Sequence, residues 1–462
     1  MTRRFIILLM VASYFVLTGC GGQDVTRNLL DEKNLVRWES AEKLSLNDGV
    51  LTLNSGDKMV LNGGKYTDFE LLVSLRTSDG GKGEIKFHAD ENSNGGYSIA
   101  VDNDRDNDQW WTRTGSLLAV RNLAKSIVED GQWFDLSIKV YGKEITVHVN
   151  DELLVEYVEP ENPFRTAHHA GQVLSSGTFA IECSDGSIQF DRLEVIGLKV
   201  DKSVVDRQLA EAADEQEDGI IRLHQANFPV LDYHVHLKED LTLELAKSQS
   251  RKLGINYALA PNCGVGFPIT TDAQVVEYLE GMKGQPFLQA MQGEGREWAT
   301  TFSESVRKQF DYVFTDALTF TDRKGNRTRL WMPDEVFIDD EQKYMDLIVE
   351  KICRVILDEP MDIYVNPNFL PHVMNDRYDM FWTDERQNKV IDALVSTGKV
   401  LEINQRYKIP NRPFIQKAKD AGLKFSFGTN NADSKLGKLE YCIQMAQECG
   451  ITAQDMYNPI KH

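Results

Sequence analysis

The hydrophobic rhythm of this chain changes once, and that change limits what it can fold into. From about Asn28 to Leu198 apolar and polar residues alternate with a period of two. From Phe228 onward, short apolar runs are separated by amphipathic stretches of helical period. Strand side chains alternate between two faces, whereas helical ones return to one face every three or four positions. No single layer architecture satisfies both patterns, and 462 residues exceed what one ordinary core holds. Two domains are expected.

In the first region the runs are "DFELLVSLR" (68–76), "GEIKFHA" (83–89), "YSIAVD" (97–102), "WFDLSIKVYG" (133–142), "EITVHVN" (144–150), "GTFAIEC" (177–183) and "IQFDRLEVIGL" (188–198). With Gly, Asn and Asp between them, they predict an antiparallel jelly-roll sandwich over 28–198. Asn150-Asp151 is a hairpin turn in this reading. Residues 199–227 are acidic and carry Ala, Gln and Leu at helical spacing, which predicts a helical linker.

Over 228–462 the strand candidates are "PVLDYHVH", "INYALAP", "PFLQAMQG", "DYVFTDALT", "DIYVNPNF", "KVLEINQ" and "KFSFGTNN". Helical patterns such as "TLELAKSQSRKLG" and "DLIVEKICRVILDE" lie between them. Seven such units in about 235 residues predict an α/β domain, a parallel (βα)7 barrel whose reactive groups stand at the C-terminal strand ends.

Polar residues collect at those ends. The first strand closes on Asp232, His234 and His236, which alternation puts on one face. Two imidazoles so spaced can share a cation. The third strand leads to Glu294 and Glu297, the fourth to Asp316, the fifth to Asn366 and Asn368, the sixth to Glu402 and Asn404, and the seventh to Asn430 and Asn431. The following loops add His372, Arg406 and Arg412. This convergence predicts a functional pocket, with the arginines as holders of an anionic or polyhydroxyl substrate.

Composition narrows the class. The 42% hydrophobic and 26% charged fractions are those of a folded protein, and a net charge of −20 argues against a nucleic-acid partner. At the N-terminus, Arg3 and Arg4 precede a short apolar run from Phe5 to Leu17, the pattern of a signal peptide over 1–19. "LTGC" resembles a bacterial lipobox, which implies a lipid on Cys20, a tether over 20–27 and residence at the outer membrane or in the periplasm. The remaining cysteines, Cys183, Cys263, Cys353, Cys442 and Cys449, are scattered without a CxxC pair and predict no disulfide framework.

Two resemblances sharpen these expectations. "DYHVHL" and "GE" at 293–294 resemble the first two motifs of the PHP (polymerase and histidinol phosphatase) family of distorted seven-stranded metallohydrolase barrels. The resemblance implies His234, His236 and Glu294 as metal ligands. Asn366 stands where that family has a histidine, Asn430 where it has an aspartate, and Asp316 where a histidine is common. One divalent ion, Zn, Mn or Fe, is then expected on His234, His236 and Glu294, assisted by Asp316 or His372. The first region resembles the 3-keto-disaccharide hydrolase family, a concanavalin-like jelly roll, through "NLLDEKNLVRW", "YTDFELLVSLR", "GGYSIAVD", "RTGSLLAV" and "DGQWFDLSIKVYGKEITVHVND". In "DNDRDNDQWWTRTG" (102–115), Trp110, Trp111, Arg113 and Asp102, with His88 nearby, are expected to meet a sugar. The acidic run also offers oxygen ligands for Ca²⁺.

The expectation is a cell-envelope lipoprotein hydrolase or lyase acting on carbohydrate, a keto-glycoside or disaccharide. The sandwich would engage the sugar and the barrel would cleave it, with Glu294, Glu297, Asp316, Arg406 and Arg412 as candidate catalytic residues. A metal-dependent phosphoesterase and a non-catalytic glycan-binding lipoprotein are the alternatives.

Overall fold

The computed structural model describes residues 26–39, 45–104 and 109–460. The expected signal peptide and Cys20 lie outside them. Among the described residues no helix is long and apolar enough to cross a membrane, and the five cysteines are unpaired.

The period-two region forms two facing antiparallel sheets. The larger runs in the order Glu152–Val158, Glu144–Val149, Phe134–Tyr141, Phe69–Thr77, Ser187–Gly197, Val50–Asn54 and Ser45–Asn47, with Thr26–Asn28 added beside Ser187–Gly197. The smaller is Lys58–Val60, Thr178–Asp185, Lys82–Ala89 and Tyr97–Asp102. Alternation does the sorting: Phe69, Leu71, Val73 and Leu75 are buried while the residues between them are half-exposed. The Asn150-Asp151 hairpin is present, with Val149 opposite Glu152 and Asn150 in the left-handed region at φ 50°. Tyr97–Asp102 departs from alternation and is buried along its whole length. The chain after residue 109 returns along it, and the Ala100 N–H donates to the Ser116 carbonyl at 3.0 Å.

The linker forms two helices, Lys202–Glu211 and Gly219–Gln225. Seven parallel strands follow, Leu231–Val235, Asn256–Leu259, Leu288–Gly293, Tyr312–Thr315, Ile363–Tyr364, Val400–Asn404 and Phe425–Gly428, each beside its predecessor. They make a nearly closed barrel. Its last seam is stitched by side chain as well as backbone. The Thr429 N–H and hydroxyl donate to the Asp232 carboxylate at 3.0 and 2.7 Å, and the Asn430 N–H donates to the His234 carbonyl at 2.9 Å. Burial pushes the Asp232 carboxyl up to about 6 against the pull of these bonds.

The sandwich packs under the barrel. Trp110, Trp111 and Ala124, from the long connection after Tyr97–Asp102, lie in the barrel's hydrophobic core rather than the sandwich's. The Trp111 indole donates to Asn227 at 3.0 Å, Asn256 exchanges hydrogen bonds with Ala124 and Asn122, and Lys125 caps the Phe287 carbonyl. Asn256 and Phe287 mark the N-terminal ends of the second and third barrel strands, so the sandwich lies opposite the mouth where reactive groups gather.

Candidate active site

The mouth holds a cleft of about 650 Å³, lined entirely by residues between Phe267 and Asn430. Six of the sequence candidates reach it from strand ends or the following loop: Glu294, Asp316, Asn366, Asn368, Arg406 and Asn430. His372, exposed at the start of a short helix, stands on its rim.

Beneath the cleft, Glu402 is the centre of a buried polar network. Its carboxylate is 1% exposed. It accepts from the His234 Nδ1 at 2.6 Å, the Asn366 N–H at 2.7 Å and the Asn404 amide at 2.9 Å. The Asn366 side chain accepts from Asn404 and Asn430, at 3.1 and 2.8 Å, and donates to Asp316 at 3.0 Å. A continuous chain of hydrogen bonds therefore runs from His234 through Glu402 and Asn366 to Asp316. Gly428 makes room for it, because a Cβ there would collide with the Glu402 carboxylate and the His234 side chain.

Backbone conformation favours asparagine at three of these positions. Asn366, Asn368 and Asn430 have φ of 49°, 63° and 45°, a left-handed backbone that Asn tolerates better than most residues. At 366 the amide both gives and receives within the network, and at 430 it donates to Asn366, which an ionised Asp could not do.

Glu294, half-buried, and Asp316, buried, both line the cleft. Glu294 accepts one side-chain bond, from Asn262 at 2.6 Å. Burial first and the neighbouring charge of Asp316 second push its carboxyl up to about 8, against weaker pulls from Asn262, Arg296 and Lys238. It is thus largely protonated at neutral pH. Asp316 is held as an acceptor by Asn366 and by the Leu318 N–H at 3.0 Å. Arg406 lies over the Tyr407 ring, 5.1 Å from its centre, and donates only a long bond, 3.4 Å, to the Asn430 carbonyl.

Several expectations are corrected. Among the described residues no group of three or more His, Cys, Asp or Glu is placed to hold an ion. His234 spends Nδ1 on Glu402 and faces Gln292 with Nε2 at 3.3 Å, and His236 spends Nδ1 on the Ala260 carbonyl at 2.7 Å. Burial holds His236 well below the usual imidazole range, hence neutral. Neither histidine lines the cleft containing Glu294 and Asp316, and His372 is out on its rim. No step below runs through a metal.

Glu297 lies outside the cleft, exposed, with its carboxylate turned back to the Arg296 N–H at 3.1 Å. Arg412 begins a helix and faces Glu448 at 3.7 Å. Asn404 and Asn431 are buried braces rather than substrate contacts. Asn404 holds the Tyr407 N–H, and Asn431 clasps His236 through its N–H and carbonyl.

In the sandwich the expected sugar contacts are structural. Trp110 and Trp111 are 3% and 6% exposed and serve the interface. Arg113 is buried, ion-paired with Asp102 at 3.1 Å and bonded to the Trp110 and Asp104 carbonyls. His88 joins the Thr67 carbonyl to the Ser175 N–H, and burial lowers it to about 4. Of the run expected to hold Ca²⁺, residues 105–108 lie outside the described ones.

The sequence reading missed two features. In the sequence Glu402 is one strand end among several. The second is a cleft of about 630 Å³ on the smaller sheet, where Lys82, Glu84, Glu182, His168 and His169 meet Gln225 and Asn227 at the end of the linker helix. His168 and His169 sit in a single 3-10 turn, and no periodicity marks them.

Residues 26–196 match a family model described as the 3-keto-alpha-glucoside-1,2-lyase-like domain. No curated protein sequence matches the chain. Solved structures with similarity include a protein of Parabacteroides distasonis provisionally described as a glycosyl hydrolase, 14% identical over 38% of this chain and 94% of that one, with a TM-score of 0.33. A carbohydrate-binding module from Bacillus subtilis is 14% identical over 34% of this chain and 89% of its own, at 0.22. The exoplasmic/lumenal domain of VIP36, bound to Ca²⁺ and Man3GlcNAc, is 12% identical over 41% and 94%, at 0.28.

Proposed function

We propose that the protein acts on carbohydrate, with bond-breaking at the barrel mouth and glycan recognition at the separate sandwich cleft. The observation that carries the catalytic half is Glu294, a carboxyl kept protonated beside a second carboxylate in an open cleft. Two carboxyls whose surroundings separate their roles are the working parts of glycoside cleavage. The match of residues 26–196 supports carbohydrate as the substrate class.

On a 3-keto-glycoside, Asp316 would take the proton at C2, which the adjacent ketone acidifies. The C1–C2 double bond forms as the C1–O bond breaks, and Glu294 gives its proton to the departing oxygen. On an ordinary glycoside the same pair would activate water and protonate the leaving group. Arg406 and Asn430 would hold the ring hydroxyls. The two clefts share no residue and lie toward opposite ends of the barrel strands, so this reading separates recognition from cleavage instead of joining them at one bond.

Incubating the full chain with 3-keto-disaccharides, plain disaccharides and phosphate esters tests the assignment. Cleavage of a glycoside that is lost in Glu294→Gln and retained in His169→Ala is expected. Turnover of phosphate esters alone, or glycan binding without turnover, would overturn it.

A further inference from the structure

The polar groups of the mouth cleft come from the barrel strand ends and loops, but one of its sides has another origin. Between the fourth strand and its helix, Glu341–Asp358, the chain makes an excursion carrying a small antiparallel hairpin, Thr319–Thr321 with Arg327–Arg329, that pairs with no barrel strand. This excursion gives the cleft Leu318, Leu330, Trp331, Pro333 and Val336. None of these side chains presents a carboxylate, amide or hydroxyl. Trp331 is 40% exposed. The other comparably open tryptophan among the described residues, Trp133, is covered by the Arg76 guanidinium 4.9 Å from its ring centre. No ring or cation of a described residue stacks on Trp331.

We propose that this wall receives the leaving group, and that the preferred substrate is a glycoside whose aglycone is a flat, apolar, aromatic group. The inference rests on the reading of Glu294 and Asp316 as the cleaving pair. A second sugar in that position would bring a ring of hydroxyls with only the Trp331 indole N–H among these side chains to hydrogen-bond them, and unsatisfied polar groups are costly to bury. An aryl group asks only for contact area and an edge or face of an indole, which Leu318, Leu330, Val336 and Trp331 supply. The sugar end is left to the amides and Arg406, so the cleft reads a molecule that is polar at one end and greasy at the other.

Binding of uncleavable thioglycosides to the full chain tests this, with phenyl and methyl thioglucoside in both anomeric forms and phenol as the sugar-free control. The phenyl compound should bind about tenfold more tightly than the methyl one. Trp331→Ala should erase most of that preference and leave methyl thioglucoside binding unchanged. Trp331→Leu, which keeps apolar bulk without the ring, should retain part of it, and melting curves verify that both variants fold. Equal affinity for phenyl and methyl compounds would overturn the wall's role while leaving the carbohydrate reading intact. Phenol binding as tightly as phenyl thioglucoside, or no binding of either glucoside, would overturn both.

Discussion

Glu294 with Asp316 at the barrel mouth and Asp102 with Arg113 in the sandwich are built from similar materials and serve opposite ends. Each couples ionisable side chains out of bulk water. In the sandwich, opposite charges meet at 3.1 Å, and the guanidinium is further tied to the Trp110 carbonyl at 3.0 Å. At the mouth, two carboxyls are brought together and one of them keeps its proton, Glu294 has one side-chain donor, and the cleft is open. The difference teaches that residue type does not separate a working group from a brace. What separates them is whether the fold has already satisfied the group.

The comparison can be broken most directly at Glu294. Glu294→Gln should lower kcat by about 10²- to 10⁴-fold without lowering the melting temperature, since it removes a repelling carboxyl. In the parent, kcat/KM should fall on the alkaline side as pH passes about 8, where Glu294 of the free protein gives up its proton, and a profile flat through pH 8 would contradict the acid role. Arg113→Met should do the reverse. It strands Asp102 in the interior and should cost about 3–5 kcal/mol in urea denaturation, while turnover per folded molecule stays near the parent value.

A smaller contrast lies in acid. Burial lowers His88 to about 4 from an ordinary 6.5. Between those values the unfolded chain binds the proton and the native one does not, so this contribution to stability is complete above 6.5 and shrinks as pH falls toward 4. His88→Gln should flatten the stability curve in that window, measured by denaturation at each pH. The smallest effect is expected at Glu297→Gln and Arg412→Ala. Both residues lie outside the cleft, and each change should shift kcat/KM by no more than about twofold.

These contrasts also mark what the sequence could convey. All seven barrel strands and the longer sandwich strands were legible, because alternation and short apolar runs report directly which face is buried; the short strands Thr26–Asn28, Ser45–Asn47, Val50–Asn54 and Lys58–Val60 carried too little pattern to be read. The strand-end positions of Glu294, Asp316, Asn366 and Asn430 followed from the same geometry. Their roles did not. Asn366 and Asn430 looked like degraded ligands, and only the left-handed backbone, the Asn366 amide's bond to Asp316 and the Asn430 amide's bond to Asn366 explain the amides. Glu297 stands three residues from Glu294, but the turn begun at Gly295, φ 75°, carries it out to solvent. Trp110 and Trp111 resembled sugar platforms because the surface that covers them belongs to residues more than a hundred positions later.

That covering has a consequence for anyone who would cut the chain at its helical linker. A barrel released at 228 would lose the two indoles that fill its underside, and a sandwich ending at 198 would carry both of them into water. Each fragment would offer a sticky patch to its neighbours, and the pair would be expected to clump unless produced together. The intact chain should accordingly melt in one transition, as a single cooperative body with two architectures.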